Sequence, residues 1–186
     1  MKRIFDLLIA FIFSLLLFPL ILIISLMVKL TSEGPILYWS NRVGKNNLIF
    51  KMPKFRTMYV DTPPLATRHM AQPEQYLTSI GPFLRKTSLD EIPQLWSIIK
   101  GDMSFVGPRP VLTNEEDLLI LRTQEGIHLY KPGLTGWAQI NGRDSVTIEQ
   151  RVALEKDYIK KQSFLFDILI FWKTIPKVLF KKDIVH

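Results

Sequence analysis

The feature that most constrains this chain is LLIAFIFSLLLFPLILIISLMV at residues 7–28, a run of 22 residues without a charge. As a helix it is long enough to cross a hydrocarbon core of roughly 30 Å. A secretory signal would carry a shorter apolar region and a small-residue cleavage site. This run instead continues into Lys29 and Leu30, which disfavours that reading. Pro19, near the middle, removes one backbone donor and crowds the carbonyl of Leu15. In lipid that carbonyl needs a substitute partner, for which the Ser14 hydroxyl is a candidate. Lys2 and Arg3 precede the run and Lys29 comes after it, so the distribution of basic residues gives no direction. Two topologies remain, a kinked span and a helix broken at Pro19 that returns to the face it entered from. Residue physics alone slightly favours the kinked span.

The whole chain has 186 residues, one domain's worth with an appended membrane segment. At 47% hydrophobic and 22% charged residues, global disorder is excluded. The absence of cysteine rules out disulfides and thiolate zinc sites. His69, His128 and His186 lie too far apart for a local ligand pair. The formal net charge of +7 favours anionic partners, whether nucleic acid, phosphorylated metabolites or an acidic leaflet.

The rest reads as a helix-rich α/β mixture. Residues 36–58 suggest two short strands, ILYW and LIFKM, joined by a loop at Gly44-Lys45-Asn46-Asn47. Three capping-box signatures predict helix starts, at Ser88 with Glu91, Thr113 with Glu116, and Thr147 with Gln150. The second helix should stop near Gly126. From Ser163 the chain alternates large hydrophobes with Lys173, Lys177, Lys181 and Lys182. That pattern suits equally a helix in the membrane interface and an amphipathic helix on the protein's own core.

Suggestive chemistry concentrates at residues 85–110, RKTSLDEIPQLWSIIKGDMSFVGPRP. Asp90 and Glu91 are fully explained as the first turn of a capped helix. A carboxylate there also stays ionised, as a carboxylate nucleophile must, and a helix start attracts phosphate oxygens. Arg85 and Lys86 precede the pair, and Arg109 is held between two prolines, which suits a fixed fork for phosphate. Taken singly, each cation is more often a solvated surface charge. KPGLTGWAQINGR, residues 131–143, has three glycines and could approach a nucleotide through Asn141 and Arg143. Spacing alone favours a plain structural loop. Neither a Walker nor a dinucleotide fingerprint occurs.

Together KRIFDLL, FKMPKFRTM, LRKTSLDEIPQLW, KGDMSFVGPRP, PGLTGWAQINGRD and DYIKKQSFLFDILIFW cover nearly the whole chain. In them the chain resembles the bacterial sugar transferases of the small monotopic phosphoglycosyl transferase family. The resemblance implies an enzyme of the bacterial plasma membrane with its catalytic domain on the cytoplasmic face. Asp90 would attack the β-phosphate of a UDP-sugar, expel UMP and hold the phospho-sugar covalently. A polyprenyl (undecaprenyl) phosphate would then collect it, the first membrane step of a glycoconjugate pathway. Glu91 would assist, Lys54, Arg85 and Arg109 would contact phosphates, and Mg²⁺ beside Asp90 would neutralise the diphosphate.

The resemblance also implies that residues 1–30 form a re-entrant helix bent at Pro19, and that residues 31–186 form the catalytic domain with a C-terminal interfacial helix. Where the family often has Ser before that proline, this chain has Phe18. The chain begins at the core itself and reads as a minimal catalytic unit. The rival from another class is a membrane-anchored module binding anionic lipid or nucleic acid. Its basic residues, however, surround an acidic pair rather than interleave with aromatics, which argues against nucleic acid.

Overall fold

A computed structural model describes residues 1–63, 70, 72–142 and 146–179. The apolar run forms two helices, α1 (Lys2–Leu16) and α2 (Phe18–Thr31), bent by 62° at Leu17. Pro19 falls in the first turn of α2, where its missing N–H breaks no helical bond. Across the break the Leu17 amide donates to the Phe13 carbonyl at 2.9 Å and the Ile21 amide to the Leu17 carbonyl at 2.8 Å. Backbone bonds, rather than the Ser14 hydroxyl, therefore carry the turn. Among the described residues no single helix is long and apolar enough to cross a membrane, although the bent pair together is.

Both ends of the pair are fastened to the same body. At the start of α1, Lys2 donates to the Val106 carbonyl at 2.8 Å and pairs with Asp167. Arg3 donates to the carbonyls of Ile98 and Ile99 at 2.6 and 2.7 Å, in the last turn of α4 (Leu95–Lys100). Asp6, buried, accepts from the Ser104 hydroxyl at 2.8 Å and the Phe105 amide at 3.1 Å. At the far end, Arg56 donates to the Ser32 carbonyl at 2.8 Å and to that of Glu33. Gly34, at φ 111°, leaves room for that guanidinium, since a Cβ there would lie 2.9 Å from Arg56 Nη1. Lys2 and Arg3 are thus occupied inside the fold.

The two expected strands form the antiparallel hairpin β1 (Leu37–Val43) and β2 (Ile49–Phe55), with Tyr38 opposite Lys54. β1 also pairs with β4 (Val111–Leu112), giving the order β2-β1-β4. Pro53 is accommodated because β2 lies at the sheet edge. A separate parallel pair joins β3 (Ser104–Val106) to β5 (Gly133–Thr135). The remaining helices are α3 (Gly81–Thr87), α5 (Glu116–Gln124), α6 (Trp137–Asn141), α7 (Ile148–Lys161) and α8 (Phe164–Leu179).

Of the three capping boxes only Thr147–Gln150 forms, with both reciprocal bonds present. Ser88 adopts a left-handed conformation (φ 56°), so its side chain cannot cap the turn after it. The helix expected from Thr113 starts instead after Glu115, whose carboxylate takes the Leu112 amide at 2.9 Å. It ends at Gln124, next to left-handed Gly126. α8 packs one face on the protein's own core, where Ile170 and Phe171 meet Phe105 and Phe13, while Leu165 and Trp172 remain exposed.

Candidate active site

The Ser88 turn delivers Leu89–Gln94 as a 3₁₀ helix whose first turn carries Asp90 and Glu91. This helix packs against β2, and β2 supplies Lys54. Lys54 Nζ lies 2.7 Å from Glu91 Oε1 and 3.8 Å from Asp90 Oδ2. Glu91 therefore spends its side chain on Lys54 rather than on a capping box. Asp90 is only 7% exposed. Burial pushes its carboxyl up to about 6, and Glu91 adds to the rise, while Lys54 and then Arg85 oppose it. The helix-end environment expected to hold Asp90 firmly ionised is outweighed by desolvation.

Arg85, on α3, donates through Nε to the Thr57 hydroxyl at 3.0 Å, which aims its guanidinium. Burial lowers its pKa and Asp90 counteracts that. Arg109 lies farther along, in the turn between β3 and β4, and its carbonyl accepts from Arg122 Nη1 at 2.9 Å. Lys54 and Arg85 thus act directly on Asp90, while Arg109 belongs to a neighbouring basic group. Arg42 of β1 links the two. It senses both Arg109 and Glu91, and burial lowers its pKa first of all.

Behind Arg109 lies a buried cluster. Arg122 grips Glu155 with Nε (2.7 Å) and Nη2, and Arg151 approaches the same carboxylate at 3.4 Å. Burial and then Arg122 pull the Arg151 pKa down to about 10.

The glycines of the 131–143 loop have a structural explanation. A Cβ on Gly133 would sit 2.1 Å from the Gly107 amide, and one on Gly136 would sit 2.0 Å from the Gly107 carbonyl. Their close approach is therefore to the chain's own GPRP turn, which they hold in place. Asn141 is exposed and donates to the Trp137 carbonyl at 2.8 Å, within α6. Arg143 lies outside the described residues.

For a divalent cation, the described residues include no group of three or more His, Cys, Asp or Glu side chains suited to a metal. The Asp90–Glu91 pair nevertheless has the chemistry of a Mg²⁺ site, which commonly takes one or two carboxylates and fills its shell with water and phosphate oxygens.

A model of the bacterial sugar transferase family matches residues 1–181. The chain belongs to the bacterial sugar transferase family. It is 41% identical to the exopolysaccharide production protein ExoY of Sinorhizobium fredii, over 95% of this chain and 84% of that one. It is 38% identical to the uncharacterized sugar transferase EpsL of Bacillus subtilis, over 99% and 90%. The UDP-glucose:undecaprenyl-phosphate glucose-1-phosphate transferase of Escherichia coli is 39% identical over 95% of this chain but only 40% of its own length. Similarly, the chain spans 36% of the undecaprenyl-phosphate glucose phosphotransferase of Komagataeibacter xylinus.

Within this sugar transferase, sequence reasoning missed Arg42, Thr57, Arg122, Arg151 and Glu155. Arg42 carried one usable signal. It shares a β1 face with Tyr38, the cross-strand partner of Lys54. The Arg122–Glu155 pair, 33 residues apart, left no mark in local spacing.

Proposed function

We propose that this transferase moves a phospho-sugar from a UDP-sugar to polyprenyl (undecaprenyl) phosphate, with Asp90 as nucleophile. The observation that carries the proposal is a buried, incompletely compensated carboxylate between Lys54 and Arg85, in a chain whose relatives are named for this transfer. In the first step an Asp90 carboxylate oxygen bonds to the β-phosphorus. The bond from that phosphorus to the oxygen bridging the α-phosphate breaks, and UMP leaves with the electron pair. In the second step a phosphate oxygen of the polyprenyl carrier bonds to the same phosphorus, and the acyl phosphate breaks to restore Asp90.

Lys54 and Arg85 supply fixed positive charge where the diphosphate sits. Glu91, tethered to Lys54, orients that ammonium. Asp90 would hold a Mg²⁺ ion, which when bound supplies charge neutralisation to the diphosphate. The product is a lipid-linked sugar, so the reaction stands at the first membrane step of a glycoconjugate pathway.

The bent pair supports a re-entrant seat in the cytoplasmic leaflet. Its ends dock on one body, while Phe11, Leu15, Leu16 and Phe18 around the bend are exposed. Leu165 and Trp172 on α8 offer a second apolar contact suited to the interface.

The decisive measurement is exchange of labelled UMP into the UDP-sugar without lipid acceptor. Exchange is expected in the wild-type protein, and its absence from a preparation active in the full reaction would sink the covalent route. A panel of UDP-sugars in the same assay identifies the donor. For topology, single cysteines at Met1 and Glu33 should label from one side, and opposite-side labelling would establish a span.

A further inference from the structure

Two cations act directly on Asp90, and one strand governs both. Lys54 belongs to β2 itself. Arg85 belongs to α3, yet it too is tied to the end of β2, through Thr57. Past Phe55 the chain runs antiparallel to residues 76–78, where the Tyr59 amide donates to the Tyr76 carbonyl at 2.9 Å and Met58 bridges Leu77. Thr57 lies on that extension and is buried.

The carbonyl and the hydroxyl of Thr57 are both spent on α3 and its approach. The carbonyl accepts from the Thr78 amide at 3.0 Å and from the Thr78 hydroxyl at 3.4 Å. Thr78 in turn takes the Gly81 amide on its own carbonyl at 2.9 Å, at the start of the helix. A side chain is excluded there, since a Cβ on Gly81 would lie 2.3 Å from the Thr57 carbonyl oxygen. One turn later the Thr57 hydroxyl takes Arg85 Nε at 3.0 Å. Thr57 therefore holds α3 at two heights, at its first residue and at the residue that carries the charge.

Leu84, fully buried in one cluster with Phe55, fixes which face of α3 meets the core. It cannot fix the neighbouring guanidinium. An arginine stem has several rotatable bonds and keeps one orientation only where something holds it. A bond through Nε, the ring-like fork's nitrogen nearest the stem, sets the plane in which the two terminal nitrogens lie. Recognition of a phosphate by a guanidinium depends on that plane. Valine has the same branched shape as threonine, so packing alone does not call for a hydroxyl at this buried position.

We infer that Thr57 is a positioning residue for phosphate binding: its hydroxyl sets the plane of the Arg85 guanidinium and its carbonyl sets the height of α3. One strand and its extension thus place both cations around Asp90, Lys54 directly and Arg85 through Thr57. The inference rests on the reading of Arg85 as a phosphate contact proposed above.

The test uses the full chain in detergent at one fixed Mg²⁺ concentration, with UDP and UMP as probes in calorimetric titrations. UDP carries the β-phosphate and UMP lacks it. Thr57→Val should weaken UDP roughly ten-fold, the scale of one hydrogen bond to a charged group. UMP should stay within about two-fold, as expected of a site that does not meet the altered group. Thr57→Ser, which keeps the hydroxyl, should bind UDP within about two-fold of wild type. In an Arg85→Gln background, Thr57→Val should cost less than about two-fold more, since its effect passes through that guanidinium. Equal weakening of UMP would overturn the inference, because that marks general damage. So would failure of serine to restore UDP binding, or full additivity with Arg85→Gln.

The Arg85 Nε–H magnetic resonance, assigned by its loss in Arg85→Gln, gives a second readout without any ligand. It should shift and exchange faster with water in Thr57→Val but not in Thr57→Ser. A resonance unmoved by Thr57→Val would overturn the inference by itself. Unchanged UDP affinity in Arg85→Gln would instead sink the phosphate role of Arg85 proposed above, so that reading and the placement by Thr57 fail separately.

Discussion

Asp90 and Glu155 are both carboxylates buried beside cations, and they are treated in opposite ways. Glu155, 1% exposed at its side chain, receives both arms of Arg122 and a third contact from Arg151. Asp90 has Lys54 at 3.8 Å, with the shorter bond of that lysine going to Glu91. The first arrangement satisfies the carboxylate completely and locks α5 to α7 behind the GPRP turn. The second leaves the carboxylate under-compensated, with its pKa raised to about 6. A structural ion pair closes its valences, whereas a nucleophile must keep an oxygen available. The contrast lies in how the bonds are distributed more than in how deeply each group is buried.

The largest effect that separates the two is Asp90→Asn. It should abolish UMP exchange, a loss of more than about a thousand-fold for removal of a covalent nucleophile. Stability should move the other way. A carboxylate whose folded pKa lies above its unfolded value destabilises the fold at neutral pH and is relieved as pH falls through about 6 towards the ordinary carboxylate range. Asp90→Asn should therefore raise stability, by on the order of 1–3 kcal/mol, read by denaturant unfolding. A protein that instead unfolds more readily would erase the distinction between the two carboxylates.

Glu155→Ala is the converse. Arg122 would be stranded without its partner, costing roughly 3–5 kcal/mol, so the unfolding midpoint should drop sharply. Activity should fall only in proportion to the loss of folded protein and the displacement of Arg109. If Glu155→Ala kept the wild-type midpoint, the cluster would not be structural.

Smaller effects grade the active site. At one fixed Mg²⁺ concentration, UMP exchange should lose rate on the acid side as Asp90 protonates, because the proposed nucleophile must be ionised to attack. Lys54→Met removes the strongest charge holding that pKa down, so the acid limb should move to higher pH. Arg85→Met should move it the same way by less. A pH–rate profile of the three proteins checks both sign and order.

Much of this was legible in the sequence wherever the governing forces are local. The β1–β2 hairpin arises from alternation around a Gly-Lys-Asn-Asn turn, and the α7 start from Thr147 and Gln150. Ser88 misled because a capping signature presumes an extended N-cap. Here the residue is left-handed, and Glu91 has a better partner in Lys54. The glycines of residues 133 and 136 suggested an approach to ligand, yet their neighbour is Gly107, a contact that local spacing cannot encode. The raised pKa of Asp90 was similarly hidden. It depends on burial, which only the packing of the 3₁₀ helix on β2 creates.

The clamps at the two ends of the bent helix pair have a further consequence. With Arg3 and Lys2 fastening one end and Arg56 the other, the distance from the bend to Asp90 is set by the protein alone, like a depth gauge. In the proposed topology the wedge meets a single leaflet, so bilayer thickness, which sorts and tilts true spans, drops out of the geometry. Membranes of different thickness would present the lipid phosphate to this site at the same height.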